Sequence, residues 1–226
     1  MKKILVALSL LSTLCSCLNI NISTNGKAVR CKGPVVEKTM DLKDFKAIVV
    51  NGHSDLILKQ ADAFSVVVTA NEDVFEHLDY RVEDGVLILG AKDNVTLLAK
   101  KHELAISLPT LTSLSVNGAA DVDLNGYKSD KPLSLSVNGA GDFELSGIAV
   151  PELDFTMNGA GDIDALDLDV KEINVTMNGA GDITLSGKAE KATLSVHGAG
   201  DVDARELDCD VVVKHCAGLA SIKTKK

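Results

Sequence analysis

LSLSVNGAGDFEL, residues 133–145, alternates from end to end. Apolar residues or glycine occupy 133, 135, 137, 139, 141, 143 and 145, and polar or small residues occupy the positions between. Side chains that point alternately to two faces belong to a β-strand. A helix would need a period of 3.6, and each glycine inside it would cost about 1 kcal/mol. The centre, Asn-Gly-Ala-Gly-Asp, supplies the flexible corner at which such a strand can bend.

Copies of this centre start at Asn117, Asn138, Asn158, Asn178 and His197, at steps of 21, 20, 20 and 19. A weaker copy, NGHSD, starts at Asn51, and a decayed one starts at His215. The distance from 51 to 117 is three steps of 22 and contains the strand-like runs SVVVT (65–69), GVLIL (85–89) and ELAISL (103–108). This spacing predicts that the repeat continues, masked, through the first half of the chain. Each unit of about 20 residues reads as two short strands and a second turn, such as Leu145-Ser146-Gly147. One rung cannot bury its own apolar face but stacked rungs can, so the pattern predicts an all-β solenoid over 42–222. The segment 71–84 interrupts the pattern and reads as a loop or short helix, with Asn71 as its cap.

The N-terminus reads as an address. Met1, Lys2 and Lys3 form a basic start, followed by an apolar run from Ile4 to Leu14, too short to span a bilayer. Small Ser16 precedes Cys17, as in a bacterial lipobox, which makes Cys17 the expected lipidation site and 1–17 the signal peptide. Residues 18–41 read as a tether, and 223–226 as a basic tail. The expected location is the envelope of a Gram-negative bacterium, as an outer-membrane lipoprotein facing the periplasm or the outside. Cys209 and Cys216 could pair in an oxidising compartment or remain two buried thiols.

A net charge of −9 argues against a nucleic-acid partner, which asks for a basic face. Aromatic residues are 3% of the chain, with no Trp, so the usual anchors of sugar clefts and protein interfaces are scarce. No nucleophile-elbow, phosphate-loop or dinucleotide motif is present. His53, His77 and His102 are scattered, and His197 and His215 stand where the other copies have Asn. These features point away from an enzyme.

Stacking places Asn117, Asn138, Asn158, Asn178 and His197 in one outward column, and Asp121, Asp142, Asp162, Asp182 and Asp201 in another. Neighbouring strands lie about 4.8 Å apart. Stacked amides can hydrogen-bond along the column. Stacked carboxylates repel by roughly 1 kcal/mol in water, so something must offset them. Either each Asp accepts backbone N–H groups at its glycine bend, or the column binds a cation such as Ca²⁺.

The segments FKAIVVNGHSDLIL (45–58), YRVEDGVLIL (80–89) and LAISLPTLTSLSVNGAADVDL (104–124), with the NGAGD units after them, resemble the bacterial family of putative auto-transporter adhesins with a head GIN domain. The resemblance covers about 42–222. It implies a right-handed parallel β-helix-like solenoid in an envelope-associated protein. The expected function is a non-enzymatic, lipid-anchored adhesin or scaffold with a protein or glycan partner and no resident cofactor. The alternative is a calcium-dependent polysaccharide-binding or polysaccharide-acting module. Self-association through the flat polar faces or the ends is a further expectation.

Overall fold

The glycine bends divide each repeat into two legs, and the legs of successive repeats lie side by side. The computed structural model describes residues 27–225. Its elements are β1 (Lys27–Arg30), β2 (Val35–Met40), β3 (Ala47–His53), β4 (Asp55–Gln60), β5 (Ser65–Asn71), a 3-10 helix (Glu72–His77), β6 (Leu78–Glu83), β7 (Val86–Ala91), β8 (Val95–Leu98) and β9 (His102–Leu108). They continue with β10 (Ser113–Ala119), β11 (Val122–Asn125), β12 (Leu133–Ala140), β13 (Phe143–Ser146), β14 (Ala149–Ala160), β15 (Ile163–Ala180) and β16 (Ile183–Thr224). β14 and β15 end at the glycine corners, whereas β16 runs on through the corner at 197–201. β1 and β8 form a two-stranded sheet, and all the others belong to one 14-stranded mixed sheet that closes into no barrel.

Every pairing between repeats is parallel and aligns equivalent residues. Asn117 pairs with Asn138, Asn138 with Asn158, Asn158 with Asn178, and Asn178 with His197. The alternation therefore generates apolar columns. Leu114, Leu135, Phe155, Val175 and Leu194 form one, and Val116, Val137, Met157, Met177 and Val196 another; all ten are buried. The second leg adds Leu56, Val122, Phe143, Ile163 and Ile183. Phe143 meets Phe155 edge to face at 5.0 Å.

The masked repeats expected between 51 and 117 are corrected. β3 pairs directly with β10, setting Asn51 beside Asn117. The intervening runs have no Asn-Gly corner, so they stay straight and cover open edges instead. β7 lies parallel to β3 and is followed outward by antiparallel β6. β9 lies parallel to β4 and is followed by antiparallel β5 and β2. The outermost strand β6 carries Asp79, Arg81 and Glu83, with Arg81 bonded to both acids. Charges of this kind discourage pairing with another chain.

Three smaller expectations also change. Of the tether, residues 27–40 belong to the fold: they hold β1 and β2, Cys31 is buried, and the N–H groups of Lys32 and Gly33 donate to Asp73. Residues 18–26, like Cys17, lie outside the described residues. The segment 72–77 is helical, but Asn71 does not cap it. The Asn71 amide donates to Gly33 O and accepts from Lys100 N, because a buried amide needs partners on both sides. The decayed copy does not begin at His215. Gly218 abuts Gly198 and Ser221 bonds Asp201, so the last step is 20 and Ala217 follows His197. The basic tail begins inside β16, where Lys223 reaches Asp201.

Candidate functional site

The Asp column is tied to the backbone. The N–H of Asp142 donates to Asp121 Oδ1 at 3.3 Å, Asp162 to Asp142 at 2.9 Å, Asp182 to Asp162 at 2.7 Å and Asp201 to Asp182 at 2.8 Å. The Ser221 hydroxyl and the Lys223 ammonium complete the column at Asp201, at 2.6 and 2.8 Å. Lys223, with Ser221 second, holds the Asp201 carboxyl below its ordinary range. Each carboxylate thus grips the next copy rather than its own turn. The hydrogen bond that each carboxylate accepts from the next copy offsets the repulsion between neighbouring carboxylates. Asp55, Asp121, Asp123, Asp142 and Glu144 line one groove. Among the described residues, however, no three His, Cys, Asp or Glu side chains converge as metal ligands.

The Asn column is a chain of amides. Asn117 Nδ2 donates to Asn51 Oδ1, Asn138 to Asn117, Asn158 to Asn138 and Asn178 to Asn158, at 2.8–3.1 Å. His197 takes the next place in register.

Asn51 opens onto a cavity of 570 Å³ between the first glycine corners, the end of β7, and β8. Its floor holds a polar cluster that spacing along the chain did not reveal. His102 Nδ1 lies 2.8 Å from His53 O and 3.1 Å from Ser54 Oγ, and His102 Nε2 lies 2.7 Å from the Tyr80 hydroxyl. A carbonyl only accepts, so Nδ1 carries the proton and Nε2 accepts from Tyr80. Ser54 donates to His53 O at 2.7 Å. The ring therefore has no lone pair left to take a proton from Ser54, and the cluster closes on itself. Burial pushes the His102 pKa down and the Tyr80 pKa up, so both stay neutral near pH 7. One signal was available in the sequence. Ser54 shares the face of Ile48, Val50, Leu56 and Leu58, and a buried hydroxyl requires a partner.

A model of the family described as "Putative auto-transporter adhesin, head GIN domain" matches residues 44–225. The chain belongs to this family. Three solved structures share the fold of this head GIN chain. A putative adhesin from Parabacteroides distasonis gives a TM-score of 0.78 at 22% identity, over 88% of this chain and 84% of the other. A putative lipid binding protein from the same species gives 0.71 at 18%, over 88% and 100%. A putative adhesin from Bacteroides fragilis gives 0.67 at 17%, over 87% and 99%. No curated protein matches the chain.

The head GIN chain has three free cysteines among its described residues. Cys209 is half-buried with Sγ on Val211 O, and Cys216 is exposed with Sγ on Ala220 O. Of the two alternatives for Cys209 and Cys216, the pair is not formed in this structure, and exposed Cys216 does not fit the buried-thiol reading either. Each thiol faces a carbonyl of its own segment. The bonded Asp column leads to a prediction. Added Ca²⁺ or EDTA should leave the melting temperature unchanged in a thermal scan. A rise with Ca²⁺ that disappears in Asp162→Asn would show the column to be a cation site.

Proposed function

We propose that this protein is a non-enzymatic binding head, an adhesin or scaffold, held by a lipid on Cys17 at the envelope of a Gram-negative bacterium. The observation that carries this reading is the commitment of its repeated polar groups. The Asp carboxylates hold backbone N–H groups, and the Asn amides hold one another. Such a surface is stiff and presents side chains in register, as a recognition surface requires. The lipobox and the family's adhesin description agree with it. The calcium-dependent polysaccharide reading is weakened because its central residues are already engaged. We read the winding as a right-handed parallel β-helix-like solenoid, supported by the strong preference of parallel crossovers for that hand.

The test is expression of the full chain in a Gram-negative host fed a clickable palmitate analogue. Wild type should incorporate the label, sediment with membranes and make cells adhere to an immobilised matrix or glycan surface. Cys17→Ala should lose the label and the membrane association. An unlabelled, soluble wild type would overturn the anchor. Polysaccharide cleavage abolished by one Asp substitution would overturn the non-enzymatic reading.

A further inference from the structure

The amide ladder has a direction. Each Nδ2 donates one copy toward the N-terminus, from Asn178 down to Asn51. Asn51 accepts from Asn117 through Oδ1, and its Nδ2 has no acceptor among the described residues. Aligned amides polarise one another, so this last N–H group donates more strongly than a lone amide.

The glycine column stops at the same level. A Cβ on Gly118, Gly139, Gly159 or Gly179 would fall within 2.1 Å of the carbonyl oxygen one copy below, whereas a Cβ on Gly52 would meet nothing within 4 Å. β7 follows β3 as far as Leu89 against Val50, and its next residue is Gly90. No side chain of β7 therefore covers Asn51. The 570 Å³ cavity occupies the place where one more corner of the stack would sit.

Its walls select against net charge. Lys92 and Asp93 at the rim are opposite in sign, and the Lys92 ammonium is bonded to Glu76 O. His102 and Tyr80 are neutral and bonded to each other. Ala91, Val95 and Leu97 supply apolar wall beside the Asn51 amide. A neutral group with a strong acceptor next to a small apolar substituent matches this combination.

We propose that the cavity binds an acetamido group. Its carbonyl oxygen takes the Asn51 Nδ2 hydrogen bond, in the place of the next Asn of the ladder, and its methyl packs on Val95 and Leu97. N-acetylated amino sugars and N-acetylated amines of peptides both carry this group. The site gives the binding head a ligand and rests on that reading.

Saturation-transfer NMR and calorimetry on the full chain test it, with diacetylchitobiose, its deacetylated form and an acetyl-lysine amide as probes. The acetyl methyl should receive the strongest saturation, and deacetylation should weaken binding about tenfold or more. The carrier that binds more tightly identifies the source. Asn51→Asp keeps an acceptor for Asn117 and removes the donor, so it should weaken binding about tenfold with the melting temperature retained. If that variant is destabilised, Ala91→Leu fills the cavity from the opposite wall and should abolish binding. No saturation of the methyl in wild type, or full affinity in either folded variant, overturns the proposal. Adherence without acetamido binding would overturn the pocket alone. Acetamido binding without adherence would overturn the head reading alone.

Discussion

Gly159→Ala is expected to lower the melting temperature by on the order of 10 °C or more. Gly159 lies at φ 153°, where a side chain is strained, and a Cβ there would lie 1.7 Å from Gly139 O. That oxygen belongs to the backbone of the neighbouring repeat and cannot rotate away. Relief requires pulling two repeats apart and breaking parallel hydrogen bonds on both sides of the corner. Backbone strain alone costs about 1–3 kcal/mol, and separating the repeats should bring the total above about 4 kcal/mol. Gly52→Ala is the control. It has the strained backbone, at φ 122°, but nothing within 4 Å of its Cβ. Its cost should stay near the strain value, a shift of a few degrees. Melting curves followed by circular dichroism separate the two. Equal shifts would show that close approach of the repeats does not decide the glycine column.

Phe155→Ala should cost about 3–5 kcal/mol. Phe155 is 2% exposed, lies between Leu135 and Val175 in its column, and meets Phe143 edge to face. The cavity left behind cannot collapse easily, because backbone pairing fixes the spacing of its neighbours above and below. Phe155→Leu should recover much of the loss, since the column already holds Leu135 and Leu194 at equivalent positions. Thr156→Ala, one residue along on the other face, should change stability by no more than about 0.5 kcal/mol. Urea denaturation of the three variants measures this order. Similar losses for Phe155→Ala and Thr156→Ala would show that the two faces are not distinguished as described.

Much of the stack was legible because period two and a 20-residue step are both local properties of the chain. Val137, Asn138 and Asp142 could be assigned to core, amide column and carboxylate column without coordinates. The partner of each carboxylate was not legible. The N–H that Asp142 accepts belongs to Asp162, and only the register between strands decides that. Between the copies at Asn51 and Asn117 the pattern was ambiguous for a related reason. GVLIL and ELAISL have strand composition, and alternation alone does not distinguish another rung from a straight strand covering an edge. The absent Asn-Gly corner was the distinguishing mark. The cluster of Ser54, Tyr80 and His102 was invisible to spacing because it joins the corner between β3 and β4 to β6 and β9 across the cap. The role of 27–40 was likewise hidden, since polar Glu37 and Lys38 suit both an edge strand and a linker.

The register of the copies also has a consequence for how such a chain changes over generations. Residues 158–177 form one full period, bounded by equivalent positions on both sides. A gene that lost that segment by recombination between its own similar stretches would place Asn178 over Asn138 and Asp182 over Asp142. Every column would find its usual neighbour, and the caps would be untouched. A duplication would do the reverse. Each event would alter the height of the molecule by about 4.8 Å without requiring a compensating substitution. Length is therefore a trait that inheritance can adjust in whole steps, independently of the cavity at the opposite end.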